Sequence, residues 1–349
     1  MSLENFVRAL PKIELHCHLY GSVRKRTFEE MTAVRNAPFT ADQIDQFYTR
    51  PRKPWPTNNV LRALDDFLIR DPGDLYRLTF EYLEDSAMDG VRYSEFFWNP
   101  SGGVNAGMPY ADAQDAIVRA IRDAEAQLGI MSRLIPAIDR ERGPAAAIEM
   151  VQWVVQHREP DVVGIGIDFN EADHPPELFT GAFRLARQAG LRLTAHAGEN
   201  GVSWKNIRTA IETLGVERID HGYTIVDSPE LARACVESSI VFTVVPTNSY
   251  YLRTLPDERF GLDHPIRQMR ELGLRVHPNT DNPTLHKVTP TRAWMMMLDC
   301  FGYTIDDLRT FIQNGIDGAW VDDAQRSKWR REWIAEFNAL RADLGDRYN

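Results

Sequence analysis

Residues 11 to 21 read PKIELHCHLYG, in which a short apolar approach leads to two histidines separated by one residue. If this stretch is a β-strand, His16 and His18 lie side by side on one face and Cys17 lies on the other. Two neighbouring imidazoles suit a metal ion. They could equally have a structural role at the end of a strand, where they hydrogen-bond to the backbone, so the pair alone leaves both interpretations open.

Short segments rich in β-branched and aromatic residues recur along the whole chain, with longer amphipathic segments between them. The candidate strands are IELHCHL (13–19), VRYSEFF (91–97), MSRLIPAI (131–138), VVGIGIDF (162–169), LRLTAHA (191–197), RIDHG (218–222), IVFTVV (240–245) and LRVHPN (274–279). Strands that alternate with helices form parallel sheets through right-handed crossovers, and eight such units close into a barrel. The sequence therefore predicts an α/β protein with a (β/α)8 TIM barrel.

Three of the intervening segments have helical periodicity: YADAQDAIVRAIRDAEAQLG (110–129), GPAAAIEMVQWVVQHR (143–158) and PELFTGAFRLARQAG (176–190). The third ends in Gly190, which we expect to cap the helix before the fifth strand.

About seventy residues separate the first two strands, and most of this segment, 22–90, reads as helical. An insertion after the first strand would lie over the C-terminal mouth of the barrel, where active sites of this fold occur. We therefore expect one domain, residues 1–349, in which residues 22–90 form a helical lid.

The amino-acid composition limits the classes of protein to which the chain can belong. The chain has 349 residues, of which 43% are hydrophobic and 26% are charged, values typical of globular proteins. It contains no apolar run long enough to span a membrane, and its start, MSLENFVRAL, does not resemble a signal peptide. These features predict a cytoplasmic protein with no membrane partner.

The cysteines and the net charge exclude two further classes. Cys17, Cys235 and Cys300 are scattered and form no CxxC pair, which argues against a disulfide framework. A net charge of −10 opposes binding to phosphate backbones, so we expect no nucleic-acid partner. The oligomeric state is left open.

Polar residues that bind metals follow four of the candidate strands, and all of them are expected at one mouth of the barrel. They are His16 and His18 after strand one, His196 and Glu199 after strand five, His221 after strand six and Asp281 after strand eight. Neutral imidazoles and a carboxylate are suitable zinc ligands, and a site of three histidines and one aspartate leaves room for an exchangeable water.

Four motifs carry a resemblance to a known family. PKIELHCHLYGS, TAHAGEN, RIDHGYTIV and HPNTDNP, in this order, resemble the signatures of the adenosine deaminase family of the amidohydrolase superfamily. The resemblance implies one zinc ion per chain, with His16, His18, His196 and Asp281 as ligands. It also implies that Glu199 transfers a proton at the ring nitrogen and that His221 orients the attacking hydroxide.

The chemistry that the resemblance implies is hydrolytic deamination. Zinc lowers the pKa of a bound water, which can then attack the ring carbon that bears the amine. The adjacent ring nitrogen must be protonated as the attack proceeds, so Glu199 has to arrive protonated, and burial can achieve this by raising its pKa. Ammonia then leaves.

Two other metal chemistries are disfavoured by the sequence. Binuclear barrel amidohydrolases use a carbamylated lysine after strand four, but residues 131 to 190 contain no lysine. Cytidine-type deaminases use HxE with PCxxC, and this chain has no CxxC.

Three departures from the family pattern concern the substrate-binding residues, which we predict to be His18, Tyr20, Glu171 and Asn282. Tyr20 stands where the family has an aspartate associated with ribose, and Glu171 aligns near a glycine whose amide faces the purine. Asn282 replaces the second aspartate of TDDP, and its amide can donate a hydrogen bond at any pH.

The resulting prediction is a zinc-dependent deaminase of an adenine-like base or nucleoside, with a small amino-heterocycle and water as its partners. Deamination of a non-purine heterocycle and a ligand-binding pseudoenzyme remain as alternatives, because Asn282 breaks the family pattern.

Overall fold

The computed structural model describes residues 1–54 and 58–344. Eight parallel strands form one sheet in chain order: β1 Lys12–Glu14, β2 Val91–Trp98, β3 Met131–Asp139, β4 Gly164–Asp168, β5 Arg192–Ala197, β6 Arg218–His221, β7 Val241–Val244 and β8 Arg275–Pro278. The segments after β1 and β8 close the sheet, since the His18 N–H donates to the Asp281 carbonyl at 2.7 Å and the Asp281 N–H donates to the His16 carbonyl at 2.9 Å. The predicted α/β barrel is confirmed.

Helices occupy most of the chain between the strands. The α-helices are α1 Leu3–Ala9, α2 Lys25–Arg35, α3 Ala41–Phe47, α4 Asn58–Ala63, α5 Pro72–Met88, α6 Ser101–Asn105, α7 Tyr110–Leu128, α8 Gly143–Gln156, α9 Thr180–Gln188, α10 Lys205–Thr209, α11 Pro229–Glu237, α12 Ser249–Thr254, α13 Phe260–Asp263, α14 Pro265–Glu271, α15 Pro283–His286, α16 Pro290–Phe301, α17 Ile305–Gly318 and α18 Asp323–Leu344. Short 3₁₀ turns lie at Leu19–Ser22, Arg140–Arg142, Pro176–Phe179 and Tyr223–Asp227, and π turns lie at Leu64–Leu68 and Ala210–Leu214. In the part of the chain that the structure describes, no helix is long and apolar enough to cross a bilayer.

The first strand is shorter than predicted. Its ladder ends at Glu14, and beyond it Cys17 and His18 make isolated bridges to Asp281 and Phe97. The chain therefore continues beside β2 through a single bridge and gains one bridge to the segment after β8, in place of a continuous ladder. The other seven strands overlap their predicted segments.

The predicted helices are also found, with one difference at the start of the third. That helix, α9, begins at Thr180, because Pro176–Phe179 forms a separate 3₁₀ turn first. Gly190 follows the C-cap with φ +74°, the left-handed conformation that glycine adopts without steric cost.

The segment between β1 and β2 has two parts. The last of its helices, α5, packs along α7 in the outer layer of the barrel, where the Tyr76 hydroxyl donates to Asp123 Oδ2 at 2.7 Å. The preceding part, with α2, α3 and α4, supplies Asn58 and Leu61 to a cavity at the barrel mouth. This first part of residues 22–90 thus reaches the mouth of the barrel, where the sequence predicts a lid.

Side chains fill the barrel beneath that mouth. Phe97 of β2 packs against the glycine of β4 at position 166, where a Cβ would lie 2.8 Å from the Phe97 ring. Below it, Arg218 Nη1 donates to Glu95 Oε2 at 2.7 Å in an ion pair that is almost fully buried. The interior is thus packed, and it supports a site only at its upper end.

Candidate metal centre and active site

The structure brings together the polar residues that follow β1, β5, β6 and β8. His18 Nε2 lies 3.1 Å from His196 Nε2 and 3.3 Å from Asp281 Oδ1, and His16 Nε2 lies 3.8 Å from the same aspartate oxygen. The ring centroids of His16 and His221 are 4.5 Å apart. All five side chains are buried, and their ligand atoms form two overlapping groups, His16 with His18 and His196, and His16 with His221 and Asp281.

The outer nitrogen of each of the three predicted histidine ligands faces a buried acceptor. The acceptors are the Thr243 carbonyl, 3.1 Å from His16 Nδ1, Asp168 Oδ2, 3.4 Å from His18 Nδ1, and Asp220 Oδ2, 3.3 Å from His196 Nδ1. Only the His16 contact is a hydrogen bond, and it leaves the His16 Nε2 lone pair free, as is found around metal-binding histidines. The carboxylates of Asp168 and Asp220 lie close to His18 and His196, but His196 Nδ1 makes no hydrogen bond within the described residues.

The centre fits a divalent cation. His16 Nε2 is buried and has no hydrogen-bond partner among the described residues, although a buried polar atom normally has one. Burial lowers the pKa of His18 to about 3 and lowers the pKa of His16 and His196 as well, so the rings are neutral near pH 7. Burial raises the pKa of Asp281, and a cation between these side chains would favour its charged form.

Three of the strand ends around the site carry a non-glycine residue with positive φ. Phe169, His221 and Asp281 follow or end β4, β6 and β8, and their φ angles are +68°, +67° and +62°. Non-glycine residues rarely adopt this region, and each such conformation costs about 1–3 kcal/mol. The surrounding structure therefore holds His221 and Asp281 in unfavourable conformations in order to direct them towards the site.

A cavity of about 370 Å³ opens above these residues. Its lining comprises His18, Asn58, Leu61, Glu141, Asp168, Phe169, Asn170, His196, Glu199, Asn200, His221, Asn248, Ser249, Tyr250, Arg253, Asp281, Asn282 and His286. The size and polarity suit a small molecule with several hydrogen-bonding groups.

Glu199 projects into this cavity beside His221, with 3.8 Å between its Oε2 and His221 Nε2. Asn248 Nδ2 donates to Oε1 at 3.2 Å and Asn200 Nδ2 donates to Oε2 at 3.0 Å. Burial raises the pKa of Glu199, and the two amides partly oppose that shift. The carboxyl group is therefore both oriented and biased towards its protonated form, as a proton donor requires.

Asn282 lies at the edge of the metal centre. Its Nδ2 donates to Asp281 Oδ1 at 2.6 Å, whereas its buried Oδ1 has no partner among the described residues. A Cβ at position 21 would overlap Asn282 Oδ1, so Gly21 is required for the close approach of the two loops. Asn282 thus lines the cavity and also contacts a predicted metal ligand.

Tyr20 and Glu171 do not line the cavity as the structure describes it, which corrects their expected direct contact with substrate. Trp98 Nε1 donates to the Tyr20 hydroxyl at 3.3 Å, and that hydroxyl also contacts Asp65. Glu171 lies beneath the loop that follows β5, where it accepts backbone N–H groups. Motif position placed both residues near the site but could not show which way their side chains point.

Several functional neighbours were missed in the sequence. Asn248, which orients Glu199, and His286, whose Nδ1 lies 4.0 Å from Asp281 Oδ2, carry no recognisable spacing signal. Asp168 could have been found, because it is an acidic residue at the end of the otherwise apolar strand GIGID; Asp220 could have been found because it directly precedes His221 at the end of β6.

The comparisons with known proteins agree with this geometry. The family model for adenosine deaminase matches residues 11–335. The chain belongs to the adenosine deaminase family. It is a hydrolytic deaminase with a small-molecule substrate, and its histidine-rich centre supports a metal cofactor.

Named relatives cover nearly the whole chain. An adenine deaminase from Vibrio parahaemolyticus is 30% identical, covering 96% of this chain and 99% of its own length. An adenosine deaminase from Clostridium acetobutylicum is 29% identical over 93% of this chain and 97% of its own. The crystal structure of an amidohydrolase from Burkholderia ambifaria with bound zinc is 54% identical, with a TM-score of 0.97 over 99% of this chain and 95% of that one.

Proposed function

We propose that the protein uses one zinc ion to remove the exocyclic amine of an adenine-like ring by hydrolysis, with release of ammonia. The observation that carries this proposal is the convergence of His16, His18, His196 and Asp281 beneath a cavity that also holds Glu199. The zinc in the Burkholderia ambifaria protein and the names of the two deaminase relatives support it.

The zinc ligands would be the three histidine Nε2 atoms and an Asp281 carboxylate oxygen. When bound, zinc supplies a Lewis acid that makes a water molecule nucleophilic near neutral pH. The chain would contribute to the orientation of the ligands through the Thr243 carbonyl, which bonds to His16 Nδ1, and through the carboxylates of Asp168 and Asp220, which lie beside His18 and His196.

Glu199 and His221 would handle protons on the two sides of the reacting carbon. His221 is a neutral base, since burial lowers its pKa to about 3, and its Nε2 faces the cavity, where it can accept a hydrogen bond from the attacking water. Protonated Glu199 can donate to the ring nitrogen next to the carbon under attack, which prevents negative charge from accumulating on the ring. The amine then leaves as ammonia once it has gained a proton.

The upper part of the cavity favours a ring that carries a polar substituent. Asn170, Asn200, Ser249 and Arg253 line it, and they offer hydroxyl, amide and guanidinium groups. Asn170, Asn200 and Ser249 already bond to Asp173, Glu199 and Arg50, and the hydroxyl groups of a sugar could add further hydrogen bonds that a bare base cannot make. We therefore rank an adenine nucleoside above free adenine, and Asn282 stays as the residue that contacts the ring.

The first part of segment 22–90 would form the lid. Arg50 Nη2 donates to the Thr247 carbonyl at 2.6 Å, and Arg62 Nη1 donates to Asp139 Oδ2 at 2.6 Å. These contacts join the insertion to the loops after β7 and β3, on opposite sides of the mouth. A cover held on both sides excludes water and strengthens the electrostatic interactions beneath it.

Ammonia release from metal-quantified protein tests the proposal, with adenine, adenosine and non-purine amino-heterocycles as substrates. We expect the highest kcat/KM on an adenine derivative, its loss in Glu199→Gln and its retention in Glu212→Gln, which alters an exposed glutamate. Preference for a non-purine ring would favour the alternative deaminase. Tight ligand binding without any turnover would favour the pseudoenzyme, although such a protein would have no use for Glu199.

A further inference from the structure

Two buried residues of opposite charge hold the backbone between His196 and Glu199. Arg140 is fully buried, and its Nη2 donates to the His196 carbonyl at 2.7 Å. Glu171 is 2% exposed and accepts the Gly198 N–H at 2.9 Å and the Glu199 N–H at 3.3 Å. A cation thus binds the carbonyl at the start of this loop, and an anion binds the two amides that follow.

The carboxylate of Glu171 is fully engaged in this way. Both of its oxygens lie 2.9 Å from the Gly198 nitrogen, and Oε1 also accepts a hydrogen bond from Asn206 Nδ2 at 3.0 Å. Arg140 has no ion pair within 4 Å among the described residues, and its remaining hydrogen bonds go to carbonyls, so its charge is balanced at longer range by carboxylates that include Glu171. Charge-assisted hydrogen bonds to backbone amides are stronger than neutral ones.

We infer that Glu171 is a positioning residue, which sets the orientation of the Glu199 carboxyl by fixing the backbone on which it stands. This inference rests on the proposed role of Glu199 in proton transfer. Gly198 makes the turn with φ +72°, so the direction of the Glu199 side chain depends on a sharp bend that only hydrogen bonds and packing stabilise.

The consequence for catalysis follows from distance. A proton donor must lie within hydrogen-bond reach of the atom that it protonates, and displacement by about 1 Å can lower a rate by about 100-fold. Glutamine in place of Glu171 keeps the shape of the side chain, but it brings an NH2 group towards backbone N–H donors and removes the charge. The glutamine carbonyl can still accept one of these N–H groups, but the second acceptor oxygen is lost, so the Glu199 amide or Asn206 loses its partner and we expect the turn to be held less firmly.

Two measurements on the metal-loaded Glu171→Gln variant test the inference. Hydrogen exchange reports on the amides of residues 198 to 200, and steady-state kinetics with the best substrate report on the position of Glu199. Asp173→Asn is the matched control, since it alters an exposed carboxylate on the same loop. Glu171→Asp keeps the charge on a shorter side chain and serves as a second variant if Glu171→Gln folds poorly.

We expect at least about tenfold faster exchange at residues 198 to 200 and at least about tenfold lower kcat in Glu171→Gln, with KM and bound metal unchanged. The limb of the pH profile that belongs to Glu199 should shift, and Glu171→Asp should recover part of kcat. A merely structural role would instead change KM and metal content together with kcat.

Other results would overturn the inference. Unchanged exchange would show that Glu171 does not hold the turn, and faster exchange with unchanged kcat would show that the turn does not position Glu199. If the wild-type protein released no ammonia from any amine, the proposed function would fail instead. Exchange alone would then decide whether Glu171 holds this backbone.

Discussion

Removing the charge of Asp220 should weaken metal binding without abolishing the fold. The carboxylate is fully buried beside His196 Nδ1 and accepts hydrogen bonds from Thr194 Oγ1 at 2.9 Å and Thr243 Oγ1 at 2.8 Å. In Asp220→Asn the side chain keeps its shape, but His196 loses the anionic acceptor that fixes its tautomer and raises its basicity.

The expected magnitude follows from the position of Asp220 behind a ligand. Removing the partner of a metal-binding histidine weakens binding by about 10 to 100-fold, equivalent to about 1.4–2.7 kcal/mol. Loss of one threonine hydrogen bond adds about 1 kcal/mol to the destabilisation of the metal-free protein. The two effects are separable, because the first appears only in the dissociation constant for zinc.

Competition with a chromophoric chelator gives that constant, and urea unfolding of the metal-free protein gives the change in stability. Glu217→Gln is the control, since Glu217 is exposed and pairs only with Arg192 at the surface. Thr194→Val, which removes one hydrogen bond to Asp220, should have a smaller effect than Asp220→Asn. A zinc dissociation constant within twofold of the wild-type value in folded Asp220→Asn would refute the proposed orientation of His196.

Three further predictions concern the turn, the lid and the family departure. Gly198→Ala and Gly129→Ala should each lose about 1–2 kcal/mol of stability in urea melts, because both positions have positive φ. Only Gly198→Ala should also lose activity, because the added Cβ would lie 2.6 Å from a threonine oxygen, whereas a Cβ at position 129 would meet no neighbouring atom. Equal losses of activity in the two variants would show that this close contact is not the cause. Burial raises the pKa of Asp65 to about 7, so the folded state binds this proton more tightly than the unfolded chain and stability falls as pH rises from about 4 to about 7. Asp65→Asn should remove this pH-dependent loss of stability, which amounts to about 1.4 kcal/mol per pH unit. If the stability curves of the wild type and the variant run parallel between pH 4 and 8, Asp65 does not have the raised pKa. In Asn282→Asp the new carboxyl group would take over the 2.6 Å contact with the carboxyl group of Asp281, so one of the two must be protonated. The rate on adenine derivatives should therefore change by at least about threefold. Equal rates in the wild type and the variant would show that Asn282 does not limit purine chemistry.

The barrel could be predicted from sequence because its signal is repeated. Eight apolar segments alternate with helices, and parallel topology then brings every strand end to one mouth. The convergence of His16, His196 and Asp281 follows from that topology alone, although they are far apart in the chain.

The directions of side chains outside regular strands could not be predicted. Tyr20 lies in a 3₁₀ turn and Glu171 in a turn, where no regular alternation of side chains fixes the direction in which a side chain points. Their partners, Asp65 and the Gly198 amide, come from distant segments, so only the packed structure shows that Tyr20 contacts the insertion and Glu171 contacts the backbone. The early end of β1 has the same origin, since it depends on contacts with β8.

Titration of chelator-treated protein with zinc tests the central claim most directly. Ammonia release from an adenine derivative is measured after each addition, with His16→Ala in parallel. The account predicts that activity rises in proportion to zinc, stops rising at one zinc per chain and is absent in His16→Ala. Activity that does not depend on added metal, or that persists in His16→Ala, would contradict a single catalytic zinc at this site.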